Sequence, residues 1–194
     1  RHAARQSKAI LPCRPIVHAL FPDMCGGSCS VTTLYVDKQF LSPASMSAFV
    51  ALNEKKIAFE LATIDLKARQ QTTDAYAALS LTRRVPTLAL ENFSLSESSA
   101  IAEYLDDTAD GLLLFPRDVR QRAQARQLQA WLRSDLSALR NERGSETIFH
   151  PGGQARLSPA AQSAADKLVG VLEALLPAGA SQFFESWSIA DFDA

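Results

Sequence analysis

Two short stretches of the chain carry groups that together can hold a small zwitterion. The first is Arg84-Val85-Pro86-Thr87-Leu88, inside an apolar run from Val85 to Leu90 that reads as a buried strand. Its proline is tolerated because the missing N–H falls at the strand's beginning. After a turn at Glu91-Asn92-Phe93, residues 94–96 read as the returning strand of a hairpin. The second stretch, Glu97-Ser98-Ser99-Ala100-Ile101, then opens a helix whose apolar positions Ile101, Ala102 and Leu105 fall at helical spacing. An open helix N-terminus offers backbone N–H groups to an anion. With the Ser98 hydroxyl these donors suit a carboxylate, and Glu97 suits an ammonium.

The elements that must position these groups follow from the flanking sequence. Residues 32–37 are β-rich, and Ser42-Pro43 starts a helix with serine as N-cap and proline at the first helical position. That helix runs to about Lys56, with Met46, Phe49, Val50 and Asn53 along one side. Residues 57–66 alternate as a second strand, and 73–79 form a short helix. The order βαβα then ββα is that of a thioredoxin-like α/β domain, a mixed sheet with helices on both faces. Thioredoxins and glutaredoxins carry a Cys-x-x-Cys pair at the first strand–helix corner. Gln39-Phe40-Leu41-Ser42 stands there instead, which excludes disulfide exchange by a protein thiol at that corner.

The second half reads as all-helical. A linker over 106–116 leads to a long helix from Phe115-Pro116-Arg117-Asp118 to about Arg143, striped by Ala125, Leu128, Leu132, Leu136 and Leu139. Its arginines, Arg120, Arg122, Arg126, Arg133 and Arg140, read as a solvated face. Gly152-Gly153 marks a loop, and Ser158-Pro159 begins a helix carrying Leu168, Val171, Leu172, Leu175 and Leu176. Ser188-Ile189-Ala190-Asp191 is a capping box close to the last residue, Ala194.

Composition narrows the function classes. With 194 residues, 47% apolar and 21% charged, the chain is sized for one or two globular domains. A net charge of -1 gives no footing for nucleic acid, and no apolar run approaches the length of a membrane span. All three cysteines (Cys13, Cys25 and Cys29) lie in the first thirty residues, so the core needs no disulfide, as suits a cytoplasmic protein. No zinc-site spacing follows Cys25-Gly-Gly-Ser-Cys29, so no metal is expected. Residues 1–31, proline-containing and without amphipathic period, read as an irregular extension, and Met24 falls near the expected start of the folded part.

Arg84-Val85-Pro86 and Glu97-Ser98-Ser99-Ala100-Ile101, in that order and spacing, resemble the glutathione transferases, bacterial-looking and of the serine, theta/zeta-like type. The resemblance spans residue 32 to the end. It implies a thioredoxin-like glutathione-binding domain over 32–107 and an all-α domain over 116–194, truncated because further helices follow the capping box in the family. It implies a cis bond at Val85–Pro86, glutathione paired to Val85 as an added strand, and its γ-glutamyl end gripped by Glu97 and Ser98. Ser42 would be the catalytic hydroxyl, donating to the glutathione sulfur; Tyr35, the rival hydroxyl, lies within a strand and reads as core. Arg83 and Arg84 meet either the glycine carboxylate or only solvent.

The implied reaction is detoxifying: conjugation of the glutathione thiolate to a small electrophile, or reduction of a peroxide, by a homodimer if the second domain is complete. Glutathione is the only co-substrate implied. The rivals are a glutathione-dependent isomerase on the same fold, a non-catalytic interaction module, and an inactive fragment.

Overall fold

The computed structural model describes residues 32–150, 152 and 155–194. The expectations for the N-terminal extension and its three cysteines therefore lie outside the described residues, as does Gly153.

Four strands form one mixed sheet. β1 (Thr33–Asp37) pairs parallel with β2 (Glu60–Ile64) and antiparallel with β3 (Thr87–Ala89), and β3 pairs antiparallel with β4 (Ser94–Ser96), giving the order β2-β1-β3-β4. Between β1 and β2 runs α1 (Pro43–Glu54), between β2 and β3 runs α2 (Asp74–Leu79), and α3 (Ser98–Thr108) follows β4. The period-two alternation of β1 divides its side chains between two cores. Leu34 and Val36 join Ala48, Ala51, Leu52, Ile101 and Leu105 on the α1/α3 face. Tyr35 points to the α2 face, fully buried edge-on to Tyr76 at 6.2 Å, and is a core residue as expected.

The buried face of α1 differs from the expected one. Ser45, Ala48, Ala51 and Leu52 face inward, while Phe49 is 41% exposed and Met46 lines a cavity. The helix packs against α3, and small side chains allow the close approach that a stripe of large ones would prevent.

The helical part comprises α4 (Val119–Ser134), α5 (Ser137–Glu142), α6 (Glu146–Phe149), α7 (Pro159–Leu175) and α8 (Ile189–Asp193). One continuous apolar cluster joins it to the sheet, running from Leu34 and Leu52 through Leu114 and Phe115 to Leu128, Leu132 and Ile189. The long helix expected to reach Arg143 stops at Ser134 and resumes as α5. The Ser134 hydroxyl donates back to the Ala130 carbonyl at 3.0 Å, and Asp135 turns to the Trp131 indole N–H at 2.8 Å and to Lys167. The Arg140 guanidinium donates to the Leu132 and Arg133 carbonyls, occupying the last acceptors of α4. Side chains that satisfy the backbone locally in this way compete with continuation of the helix.

The capping box also does more than its sequence position suggested. Ser188 N–H donates to Asp191 at 2.8 Å, α8 forms, and Ile189 and Ala190 are fully buried beside α1 and α4. Leu132 and Leu136 are buried, whereas Leu168 and Leu172 of α7 are only half-buried.

Glu142 fastens the end of α5 to the start of α7, accepting from the Ser158 hydroxyl and, at 2.9 Å, from its N–H. These hydrogen bonds, the hydroxyl's first, hold its carboxyl below the usual carboxylate range. Folding thus favours the anion, so this contribution is present above the unfolded value of about 4.3 and is lost as pH falls through the lower folded value. Glu142→Gln should lower the melting temperature at pH 7, and the gap to wild type should close as melts are repeated down to about pH 3. An identical melt at pH 7 would show that Glu142 contributes nothing.

Candidate active site

The corner between β1 and α1 is built by a carboxylate. Asp37, buried at the end of β1, accepts from the Leu41 N–H at 2.7 Å and the Ser42 N–H at 3.1 Å. Ser42 in turn is the N-cap of α1, its Oγ accepting from the Ser45 N–H at 3.2 Å. The cap role expected of Ser-Pro is real, yet it uses the hydroxyl only as an acceptor. The hydroxyl hydrogen remains to be donated elsewhere. Ser145, from the helical part, donates its own hydroxyl to the neighbouring Leu41 carbonyl.

Ser42 lies on the wall of a cavity of about 430 Å³ between the sheet domain and the helices. Leu132, Leu136, Ile148, Phe149, Leu168 and Phe192 make most of it apolar; Arg133, Arg140 and Asp193 supply charge. A space of this size, largely apolar with a few polar groups, is typical of small-molecule sites.

The second part of the site is the hairpin and the start of α3. The peptide bond Val85–Pro86 is cis, as the sequence resemblance implied. The loop before it is pinned at one point, where the hydroxyls of Tyr76, Ser80 and Thr87 converge on the Arg84 carbonyl at 2.9, 3.2 and 3.0 Å. Burial pushes the Tyr76 phenol up, so it stays protonated and able to donate. The sheet ladder begins at Thr87, which pairs with Ser96, so the amide and carbonyl of Val85 stand outside it, beside the Glu97-Ser98 turn.

Glu97 has φ 75° and ψ 117°, an uncommon backbone conformation for a non-glycine residue that costs on the order of 1–3 kcal/mol. It caps α3 without any side-chain hydrogen bond to the first turn. By contrast, Ser42, Asp118 and Ser158 cap α1, α4 and α7 with their side chains. The donors opening α3 are therefore free of such a cap, and Glu97 itself is exposed. Ser98 is 2% exposed, and its Oγ accepts from Arg133 of α4 at 2.9 Å.

The sequence-expected residues thus fall in two places. Ser42 lines the cavity; Val85, Pro86 and Glu97 gather at the hairpin; Ser98 is tied to the cavity wall through Arg133, which lines it. Arg83 and Arg84 are exposed. Sequence reasoning missed Asp37, which an acidic residue just after a strand signals as a turn-former, and it placed Arg133 on a solvated face. Arg126 and Arg140 are likewise engaged, Arg126 with Glu103 and over the Phe115 ring at 5.8 Å. Among the described residues no group of histidine, cysteine and carboxylate side chains could hold a metal, and no helix is long and apolar enough to cross a membrane.

Comparison with known proteins places this geometry. Residues 41–108 match the glutathione S-transferase N-terminal domain, and residues 118–194 match the glutathione S-transferase C-terminal domain. The chain is 36% identical over 112 residues to a maleylacetoacetate isomerase of Dictyostelium discoideum, covering 57% of this chain and 50% of that protein. It is 33% identical over 104 residues to mouse glutathione S-transferase theta-3, covering 53% and 42%. It spans about half the length of these curated relatives. A solved glutathione transferase homologue from Burkholderia, with bound glutathione, aligns at TM-score 0.67 and 42% identity over 85% of this chain and 79% of that one. With both halves of the fold matched in order, and a glutathione-bound relative superposing on the sheet and helices together, the chain belongs to the glutathione S-transferase family.

Proposed function

We propose that the chain binds glutathione and uses its thiolate on a small electrophile or a peroxide. The observation that carries this reading is the uncapped start of α3, where Glu97 is held at positive φ, Ser98 follows it, and Val85 stands outside the sheet ladder alongside. The γ-glutamyl carboxylate takes the α3 amides and Ser98, its ammonium takes Glu97, and the cysteinyl peptide pairs with Val85. Pro86 follows Val85 through a cis bond, and Val85 itself is half-buried.

Ser42 donates its hydrogen to the sulfur. A thiol of pKa ~8.5 is only a few per cent ionised at neutral pH. Lowering it by two units takes roughly 2.7 kcal/mol of preference for the anion. One hydrogen bond to a charged group supplies roughly 1.5–3 kcal/mol, and the α1 N-terminus adds up to ~2 kcal/mol in a partly buried setting. No general base is needed. The thiol proton passes to solvent, and the sulfur lone pair forms the new C–S bond as the leaving group departs. With a peroxide, the sulfur takes the terminal oxygen as the O–O bond breaks, the alcohol leaves with a proton, and a second glutathione reduces the sulfenic acid to disulfide and water. The electrophile would lie in the cavity bounded by Ser42 and the helices.

A second reading, glutathione-dependent isomerisation, is favoured by the maleylacetoacetate isomerases among the relatives. It uses the same residues, with the sulfur adding to a double bond and leaving again. Family membership supports a homodimer if the second domain is complete, and a core that needs no disulfide suits a cytoplasmic setting. Retention on immobilised glutathione, followed by assays with chlorodinitrobenzene, cumene hydroperoxide and a cis-enone dicarboxylate, tests the readings. A chain that neither is retained nor turns over any of the three overturns the proposal.

A further inference from the structure

Arg133 joins α4 to two other helices at the edge of the cavity. Its guanidinium forms an ion pair with Asp193 of α8 at 2.9 Å, donates to the Gln129 carbonyl at 3.0 Å, and donates to the Ser98 hydroxyl at 2.9 Å. Gln129, buried, holds the same Asp193 carboxylate at 2.6 Å. The Asp193 side chain is 7% exposed and that of Arg133 is 31% exposed, so the arrangement is fixed by packing at one end and reaches the cavity at the other. Asp193 of α8 and Gln129 of α4 thus hold Arg133, and Arg133 alone reaches the Ser98 oxygen.

A serine hydroxyl has one hydrogen and two acceptor lone pairs. A guanidinium cannot accept, so its hydrogen bond to Ser98 fixes that oxygen as acceptor and turns the hydroxyl hydrogen away from Arg133. An oxygen that accepts from a cation is also polarised into a better donor. We infer that Arg133, held by Asp193 and Gln129, is a positioning residue from the helical domain that sets Ser98 to donate to the α-carboxylate of the γ-glutamyl group. This rests on the glutathione reading above. It assigns part of the recognition of one ligand carboxylate to a residue 35 positions from Ser98 along the chain, and it makes the docking of α4 and α8 a condition of tight glutathione binding.

The test is calorimetric titration with two ligands: glutathione, and its analogue γ-aminobutyryl-cysteinylglycine, which lacks only that carboxylate. Wild type should prefer glutathione, and Arg133→Met should weaken glutathione about tenfold while leaving the analogue's affinity within twofold. Ser98→Ala should lose a similar factor, and the double variant should lose no more than the worse single one. Arg133→Lys keeps the charge facing Asp193 but shortens the reach to Ser98, so it should show the same selective loss even if Arg133→Met fails to fold. In steady-state assays these variants should raise KM for glutathione more than they lower kcat. Equal weakening of both ligands, additive losses, or full glutathione affinity in Arg133→Lys would overturn the inference and make the cluster a plain domain tie. A wild-type chain that binds neither ligand would instead overturn the glutathione reading on which it stands.

Discussion

Replacing Ser42 by alanine should lower turnover about ten- to hundredfold at saturating glutathione, the kinetic equivalent of losing roughly 1.5–3 kcal/mol of anion stabilisation. Glutathione affinity should change far less, because in the proposed binding mode Val85, Glu97 and Ser98 hold the rest of the peptide. Alanine also removes the cap on α1, where Oγ accepts from Ser45, at a cost of about 1 kcal/mol in stability. Ser42→Gly separates the two roles, since glycine at an N-cap costs only a few tenths of a kcal/mol. Both variants should lose turnover alike, although alanine lowers the melting temperature more. The pH profile gives the sign: with the thiolate less stabilised, the bound thiol's pKa rises, so the rate falls at neutral pH and recovers toward alkaline pH. The ultraviolet absorbance of the bound thiolate follows the same titration. Wild-type turnover with an unshifted profile in both variants would leave Ser42 a helix cap only.

Features whose causes are local were legible in the sequence. Ser42-Pro43, Ser158-Pro159 and the Ser188–Asp191 box all became the helix starts their residue types imply, because a cap is a contact between neighbours in the chain. The hairpin before α3 was legible for the same reason, although β3 keeps only Thr87–Ala89 of the expected Val85–Leu90. What sequence could not give were partners far apart. The face of α1 that goes inward is decided by how closely α3 approaches, so Ala48 and Ala51 are buried in preference to the larger Phe49. The break after Ser134 depends on Arg140 and Lys167 arriving from other helices. Arg133 reads as one more solvated arginine until α8 brings Asp193 to it from 60 residues away. In the proposed site, Ser42 and the Glu97-Ser98 turn are named from the chain, whereas Asp37 under the β1–α1 corner and the hydroxyls converging on Arg84 emerge only once the sheet has formed.

The largest effect on stability should come from a pair that no motif marks. Lys55, at the end of α1, has a side chain 1% exposed, and it meets Asp106 near the end of α3 at 2.7 Å, where the carboxylate is 12% exposed. The ammonium also donates to the Ala109 carbonyl at 3.0 Å. Asp106 accepts from the N–H groups of Leu114 at 2.9 Å and Phe115 at 3.2 Å. One ion pair therefore closes α1 against α3 and fixes the segment that carries Leu114 and Phe115 into the shared core. Removing one member leaves the other charge buried and unpaired, which costs about 3–5 kcal/mol, against a total of roughly 5–15 kcal/mol for a domain. Lys55→Met and Asp106→Asn should each lower the melting temperature by about 6–20 °C. The double variant should be less destabilised than the sum of the singles, because no lone charge remains. Salt should change these differences little, since buried charges are poorly screened. Melts of the three variants at low and high ionic strength check this. Single variants within about 1 kcal/mol of wild type would mean that water reaches the pair and that packing around Leu114 alone holds the two halves together.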